Sequence, residues 1–160
     1  MKNLIIIRHA KSDWDLPLSD KERTITKGGI QKSIKVANKT KTIISPGATI
    51  WCSSANRTQL TAKIFLETWN WHANNLEIKE ELYTFDYHKL EEIVKSCPND
   101  CENLILFGHN SAITDFVNKF GNKFVSNIPT SGFVSINFDA TSWATINKGI
   151  TQNIIFPIEN

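Results

Sequence analysis

The sequence lacks long apolar runs and any marked excess of one charge. Its first aliphatic run, residues 4–7, is too short for the core of a signal peptide, and no later run approaches the length of a membrane span. The 18 basic and 16 acidic residues give a formal net charge of +2, which excludes the broad basic field of a nucleic-acid-binding protein. We therefore expect a cytoplasmic protein that binds neither nucleic acid nor membranes, and whose attraction for an anion is local.

Cysteine is also scarce. Cys52, Cys97 and Cys101 cannot pair completely, and three residues separate the last two, which is not the spacing of a CxxC redox or zinc motif. Reduced structural thiols are expected in a protein of the cytoplasm. No dense cluster of histidine and carboxylate residues stands out either, so the sequence predicts no metal and no cofactor.

Short apolar segments alternate with amphipathic ones along the chain. Residues 4–7, 48–54 and 103–107 are predicted to be buried strands, and helical patterns follow each of them. A length of 160 residues with 41% apolar content suits one globular domain spanning residues 1–160. This arrangement indicates an α/β fold with a mostly parallel sheet.

Two further patterns give expectations about packing. The helix after Thr26 is predicted to turn Ile30, Ile34 and Ala37 inward. Residues 133–138 alternate in polarity and predict a strand that pairs with residues 143–147. The tail, residues 150–157, fits either a last edge strand or an ordered arm.

Polar side chains stand where three of the predicted strands end. Arg8 and His9 follow the first strand, Arg57 lies in the first helical turn after the second, and His109 follows another. In open α/β sheets, ligands bind beyond the carboxyl ends of the strands, where these groups should meet. A cation at a helix N-terminus, where the backbone already carries partial positive charge, favours a bound anion.

This set of residues is suited to phosphoryl transfer. Arginine binds phosphate oxygens in a bidentate manner and keeps its charge at any working pH. A neutral imidazole can attack phosphorus and form a phosphohistidine. We expect His9 to be the nucleophile, Arg8 and Arg57 to bind the phosphoryl group, and His109 to donate a hydrogen bond to it.

The motifs also resemble those of a known family. They are Arg8-His9-Ala10, the segment Ser54-Ala55-Asn56-Arg57-Thr58-Gln59-Leu60-Thr61-Ala62, and Gly108-His109-Asn110, in that order along the chain. They are similar to the signatures of the histidine phosphatase (phosphoglycerate mutase-like) superfamily, and closest to its short SixA-like phosphohistidine phosphatases. The resemblance implies a three-layer α/β/α sandwich, a His9 nucleophile and a phosphate pocket of Arg8, Arg57 and His109.

The sequence departs from that family where a general acid is expected. Relatives commonly carry a glutamate directly after a Leu-Tyr pair, whereas here Thr84 follows Leu82 and Tyr83. Glu81 and Asp86 are the nearby candidates for the acid. An acid matters most for an alkoxide leaving group, so its absence favours substrates with a P–N bond.

These observations predict a metal-independent phosphatase that acts on phosphohistidine in a signalling protein. A small-molecule phosphomonoesterase or a pyrophosphate-type hydrolase is the alternative within enzymes. A non-catalytic phospho-binding regulatory module is the alternative of another class, because a fold does not determine function.

Overall fold

A mixed β-sheet forms the centre of the computed structural model, which describes residues 1–72 and 75–158. Within those residues its strands are β1 Lys2–Arg8, β2 Thr49–Ser53, β3 Leu76–Lys79, β4 Asn103–Gly108, β5 Phe133–Phe138 and β6 Ile150–Ile155. Their order across the sheet is β3-β2-β4-β1-β5-β6. The first four in this order are parallel, whereas β5 is antiparallel to both β1 and β6.

Helices cover both faces of the sheet, which confirms the three-layer α/β/α fold. They are α1 Lys27–Thr40, α2 Asn56–Trp69, α3 Tyr87–Lys95 and α4 Ala112–Phe120. None of the helices in residues 1–72 and 75–158 is both long and apolar enough to cross a bilayer.

The alternation of side chains along β1 explains its continuous apolar run. Leu4 and Ile6 belong to the core that α3 and α4 complete, whereas Ile5 and Ile7 belong to the core on the side of α1 and α2. Successive side chains of a strand point to opposite faces, so a strand covered on both sides is apolar throughout. The apolar run ends at Arg8, where the strand leaves the core.

The predicted buried stripe of α1 is wrong at two positions. Ile30 and Ile34 are 37% and 40% exposed, and the buried face contains Ser33 and Thr40 instead. The Ser33 hydroxyl lies 2.8 Å from that of Ser131, and the Thr40 hydroxyl donates to a carbonyl one turn earlier at 3.0 Å. Because these hydroxyls are satisfied within the protein, small polar residues can be buried at little cost.

The predicted pairing of residues 143–147 with β5 is also wrong. Trp143–Thr145 forms a 3₁₀ turn, in which Trp143 is fully buried and its indole donates to the carbonyl of Cys101 at 2.6 Å. A buried tryptophan needs a hydrogen-bond partner for its N–H, and the 3₁₀ turn places the indole at the Cys101 carbonyl. The tail supplies the partner strand as β6, so the edge-strand interpretation of residues 150–157 is correct.

Candidate active site

The sheet order brings the ends of β1, β2 and β4 together. Because β4 lies between β2 and β1, and Arg8 pairs in register with Gly108, the two residues that follow them are neighbours. The rings of His9 and His109 have centroids 5.2 Å apart at an angle of 50°. Two imidazoles that are 100 positions apart in sequence thus share one pocket.

The backbone of its own loop orients the His9 ring. Its Nδ1 lies 2.7 Å from the carbonyl oxygen of Ala10. A carbonyl can only accept, so Nδ1 carries the proton and Nε2 keeps its lone pair. The Ala10 N–H in turn donates to the Thr61 hydroxyl at 2.8 Å, which ties this loop to α2.

His9 is also uncharged at neutral pH. Its side chain is 8% exposed, and burial, with smaller contributions from Arg57 and Arg8, lowers its pKa to about 4. A buried imidazole without a carboxylate partner resists protonation, because the charged form loses its hydration. His9 therefore combines a neutral ring with an available Nε2, the form of histidine that can act as a nucleophile.

Two partners determine the tautomer of His109. Its Nε2 lies 2.7 Å from the Ser53 hydroxyl, and an Arg57 nitrogen lies 3.4 Å from its Nδ1. Arginine can only donate, so Nδ1 accepts and Nε2 donates its proton to Ser53. Burial and the neighbouring His9 and Arg57 lower the pKa of His109 to about 3.

Two guanidinium groups accompany the histidines. One terminal nitrogen of Arg8 donates to the carbonyl of Ile128 at 2.9 Å, while its buried Nε has no hydrogen-bond partner in the described residues. Burial and the nearby charge of Arg57 lower the pKa of Arg8. Arg57 itself is 4% exposed in the first turn of α2. Two cations this close, one with an unsatisfied donor, form a site suited to an anion with several oxygens.

Asp20 and Tyr83 also lie at this site, and the sequence reasoning gave neither of them a role. Arg57 donates to the backbone oxygen of Asp20 at 2.6 Å and to its carboxylate Oδ2 at 3.1 Å. The Tyr83 hydroxyl donates to the same Oδ2 at 2.5 Å. These hydrogen bonds, from Tyr83 first and then from Arg57, lower the pKa of the Asp20 carboxyl.

The two carboxylates considered as the acid have other positions. Asp86 is the N-cap of α3, where its Oδ1 accepts from the backbone N–H of His88 at 3.0 Å. Glu81 is exposed in the 3₁₀ turn Glu80–Leu82. Within the described residues, neither side chain has a hydrogen bond or ion pair with His9 or His109.

Aromatic rings stand where the acid was expected. The Tyr83 and Phe85 rings lie 5.4 Å and 5.5 Å from the His109 ring, and 5.8 Å from each other. Phe85 is 53% exposed. In residues 1–72 and 75–158, no three histidine, cysteine or carboxylate side chains are grouped to hold a metal ion.

The sequence also matches the model of a known protein family. The sequence model of the histidine phosphatase superfamily (branch 1) matches residues 4–103. No curated protein matches the chain in sequence.

Solved structures share the fold at low identity. The protein histidine phosphatase SixA, solved with tungstate, superposes with a TM-score of 0.81 at 19% identity, covering 97% of this chain and 97% of that one. A protein assigned as the phosphohistidine phosphatase SixA of Nakamurella multipartitia gives 0.80 at 16%, covering 99% and 97%. A mycobacterial glucosyl-3-phosphoglycerate phosphatase gives 0.66 at 12%, covering 95% and 97%. At these identities the likeness shows the fold.

Proposed function

We propose that this chain, which belongs to the histidine phosphatase superfamily, is a metal-independent phosphohistidine phosphatase with His9 as its nucleophile. One observation carries the proposal. The hydrogen bond from Nδ1 of His9 to the Ala10 carbonyl, 2.7 Å long, leaves Nε2 free beside the buried Arg57 and the half-buried Arg8. The ring is neutral because burial lowers its pKa to about 4, so the nucleophile needs no separate base.

The reaction has two steps at one phosphorus atom. Nε2 of His9 attacks phosphorus, and the leaving group departs on the opposite side with the electrons of its bond. Arg8 and Arg57 neutralise the charge on the phosphoryl oxygens, where preorganised donors stabilise a transition state most. The two negative charges of the phosphoryl group also favour protonation of His109, which then donates a hydrogen bond to a phosphoryl oxygen. Water hydrolyses the phosphohistidine and restores His9.

The protonation state of the site favours a P–N bond over a P–O bond. An alkoxide leaving group needs a proton from an acid whose pKa lies near the working pH. The carboxylate whose charge acts on both histidines is that of Asp20, and its hydrogen bonds with Tyr83 and Arg57 lower its pKa instead. Asp20 therefore stays ionised at neutral pH. An imidazole leaving group needs no such donor, which supports phosphohistidine in a protein as the substrate.

The test compares substrates and traps the intermediate. Wild type should hydrolyse phosphoramidate and a phosphohistidine-bearing protein faster than sugar phosphates or pyrophosphate, with activity unchanged by EDTA. Mass spectrometry under alkaline conditions should find an acid-labile phosphate on His9. His9→Ala should form no adduct, and its kcat/KM should be lower by at least about 10³-fold. His88→Ala, at an exposed histidine, is the matched control and should keep both.

Three results would contradict the proposal. Full hydrolytic activity in His9→Ala would exclude His9 as the nucleophile. Faster turnover of sugar phosphates or pyrophosphate would favour a small-molecule phosphomonoesterase or pyrophosphate-type hydrolase. Binding of phosphate without turnover of any substrate would favour a non-catalytic module.

A further inference from the structure

A carboxylate lies at the border of the pocket in which cationic side chains are proposed to bind an anion. Asp20 stands beside Arg57, and its side chain is 46% exposed whereas that of Arg57 is 4% exposed. Its Oδ2 accepts both the Arg57 and the Tyr83 hydrogen bonds. In the described part of the chain, Oδ1 accepts none. One oxygen of the carboxylate is therefore occupied by Arg57 and Tyr83, and the other remains available to a bound molecule.

Aromatic surface lies next to this carboxylate. Tyr83 donates to Asp20 and also packs against the His109 ring, and the half-exposed Phe85 packs against both Tyr83 and His109. Aromatic faces attract cations, and a carboxylate beside them strengthens that attraction. Together the three side chains form a border that is negative and aromatic, next to a pocket that is positive.

We propose that Asp20, Tyr83 and Phe85 bind the protonated leaving group of an N-phosphorylated substrate and thereby select it over neutral and anionic leaving groups. The inference rests on the proposed function and adds the residues that determine specificity. A phosphoimidazole protonated at its second ring nitrogen presents an N–H and a positive charge. Asp20 Oδ1 accepts that N–H, and the aromatic rings of Tyr83 and Phe85 lie against the imidazolium.

The chemistry of the leaving group makes this contact useful. His9 Nε2 forms the new P–N bond as the old one breaks, and both electrons of the old bond go to the departing ring nitrogen. Since the other nitrogen already carries a proton, the ring leaves as neutral imidazole, and no proton passes from the enzyme. Asp20 favours the protonated reactant and repels a second phosphate group, as in pyrophosphate.

Asp20 also touches Arg57, so its role must be separated from simple positioning of that arginine. If Asp20 only held Arg57, its loss would weaken all phosphorylated substrates alike, because all use the same phosphate site. If it binds the leaving group, its loss changes the ratio between substrates. The informative quantity is therefore kcat/KM for phosphoimidazole divided by kcat/KM for p-nitrophenyl phosphate.

The experiment measures this ratio in wild type and in variants. Asp20→Asn should lower it about tenfold or more, because the hydrogen bond to a charged group is weakened when the carboxylate is lost. It should also raise turnover of pyrophosphate relative to p-nitrophenyl phosphate. Phe85→Ala, at a half-exposed position that the fold tolerates, should lower the ratio about threefold, as expected for a partly exposed cation–π contact. Glu22→Gln removes one charge from the 3₁₀ turn Asp20–Glu22, which also contains Asp20, and should leave the ratio unchanged.

The outcomes separate this inference from the proposed function. An unchanged ratio in both Asp20→Asn and Phe85→Ala, with phosphoimidazole turned over by wild type, would overturn the leaving-group role alone. An equal fall for every substrate would assign Asp20 to positioning Arg57 and also overturn it. Failure of wild type to hydrolyse phosphoimidazole would overturn both the proposed function and this inference.

Discussion

Acidification from pH 7 to pH 5 should destabilise the fold through its two buried imidazoles. Burial lowers the pKa of His9 from 6.5 to about 4 and that of His109 from 6.5 to about 3. Below pH 6.5 the unfolded chain binds protons at both residues, whereas the folded protein does not until the pH reaches the lowered pKa values. Stability is therefore fully present above pH 6.5 and is lost as the pH falls.

The size of the effect follows from the pKa differences. Each pH unit below 6.5 lowers the free energy of unfolding by about 1.4 kcal/mol per imidazole, so the two imidazoles together lower it by about 4 kcal/mol at pH 5. For a domain of this length, that corresponds to a fall in Tm of about 8–16 °C. Asp20 adds little in this window, because its pKa lies below its ordinary 3.8 and its contribution is lost only at lower pH.

The assay is thermal unfolding at pH 7 and pH 5. His9→Gln and His109→Gln should each remove about half of the fall in Tm, because each removes one buried titrating group. His88→Gln is the control at an exposed position and should keep the full fall. If both buried-site variants keep the wild-type fall in Tm, the assignment of buried neutral imidazoles is refuted.

Three more perturbations test individual contacts. Ser53→Ala leaves the Nε2 proton of His109 without its acceptor, and kcat/KM should fall about 10–100-fold; no fall would exclude that contact from catalysis. Thr61→Val removes the acceptor of the Ala10 N–H, and urea unfolding should show that the free energy of unfolding falls by about 1–3 kcal/mol. An unchanged free energy of unfolding would show that other contacts hold the loop. After correction for ionisation of the substrate, whose phosphoryl group titrates at about pH 6, the acid limb of kcat/KM should fall tenfold per pH unit below about pH 4, as His9 is protonated; a corrected limb near pH 6.5 would contradict the buried ring.

Local patterns predicted the fold where the hydrophobic effect alone decides it. The apolar residues of β1 and β4 and the helical period of α4 specify their own conformation. Prediction failed where a distant partner decides burial. Ser33 of α1 is buried because Ser131 meets it, while Ile30 and Ile34 are exposed because the sheet lies on the other side of the helix. Periodicity counts apolar residues and does not register a hydroxyl that is satisfied from elsewhere.

The grouping of the proposed catalytic residues could be predicted from sequence because each lies at the end of a strand. Strands that run parallel end at one edge, so Arg8, His9 and His109 had to lie near one another once the sheet was parallel. Which ring nitrogen of each imidazole carries the proton could not be predicted from sequence, since it depends on the Ala10 carbonyl and on Ser53. The contact between Asp20 and Arg57 could not be predicted from sequence either, because 37 positions separate the two residues. Only the packing of the 3₁₀ turn Asp20–Glu22 against α2 brings them together. Hydrogen-bond partners and charge environment are properties of positions in space, and the tertiary structure alone supplies those.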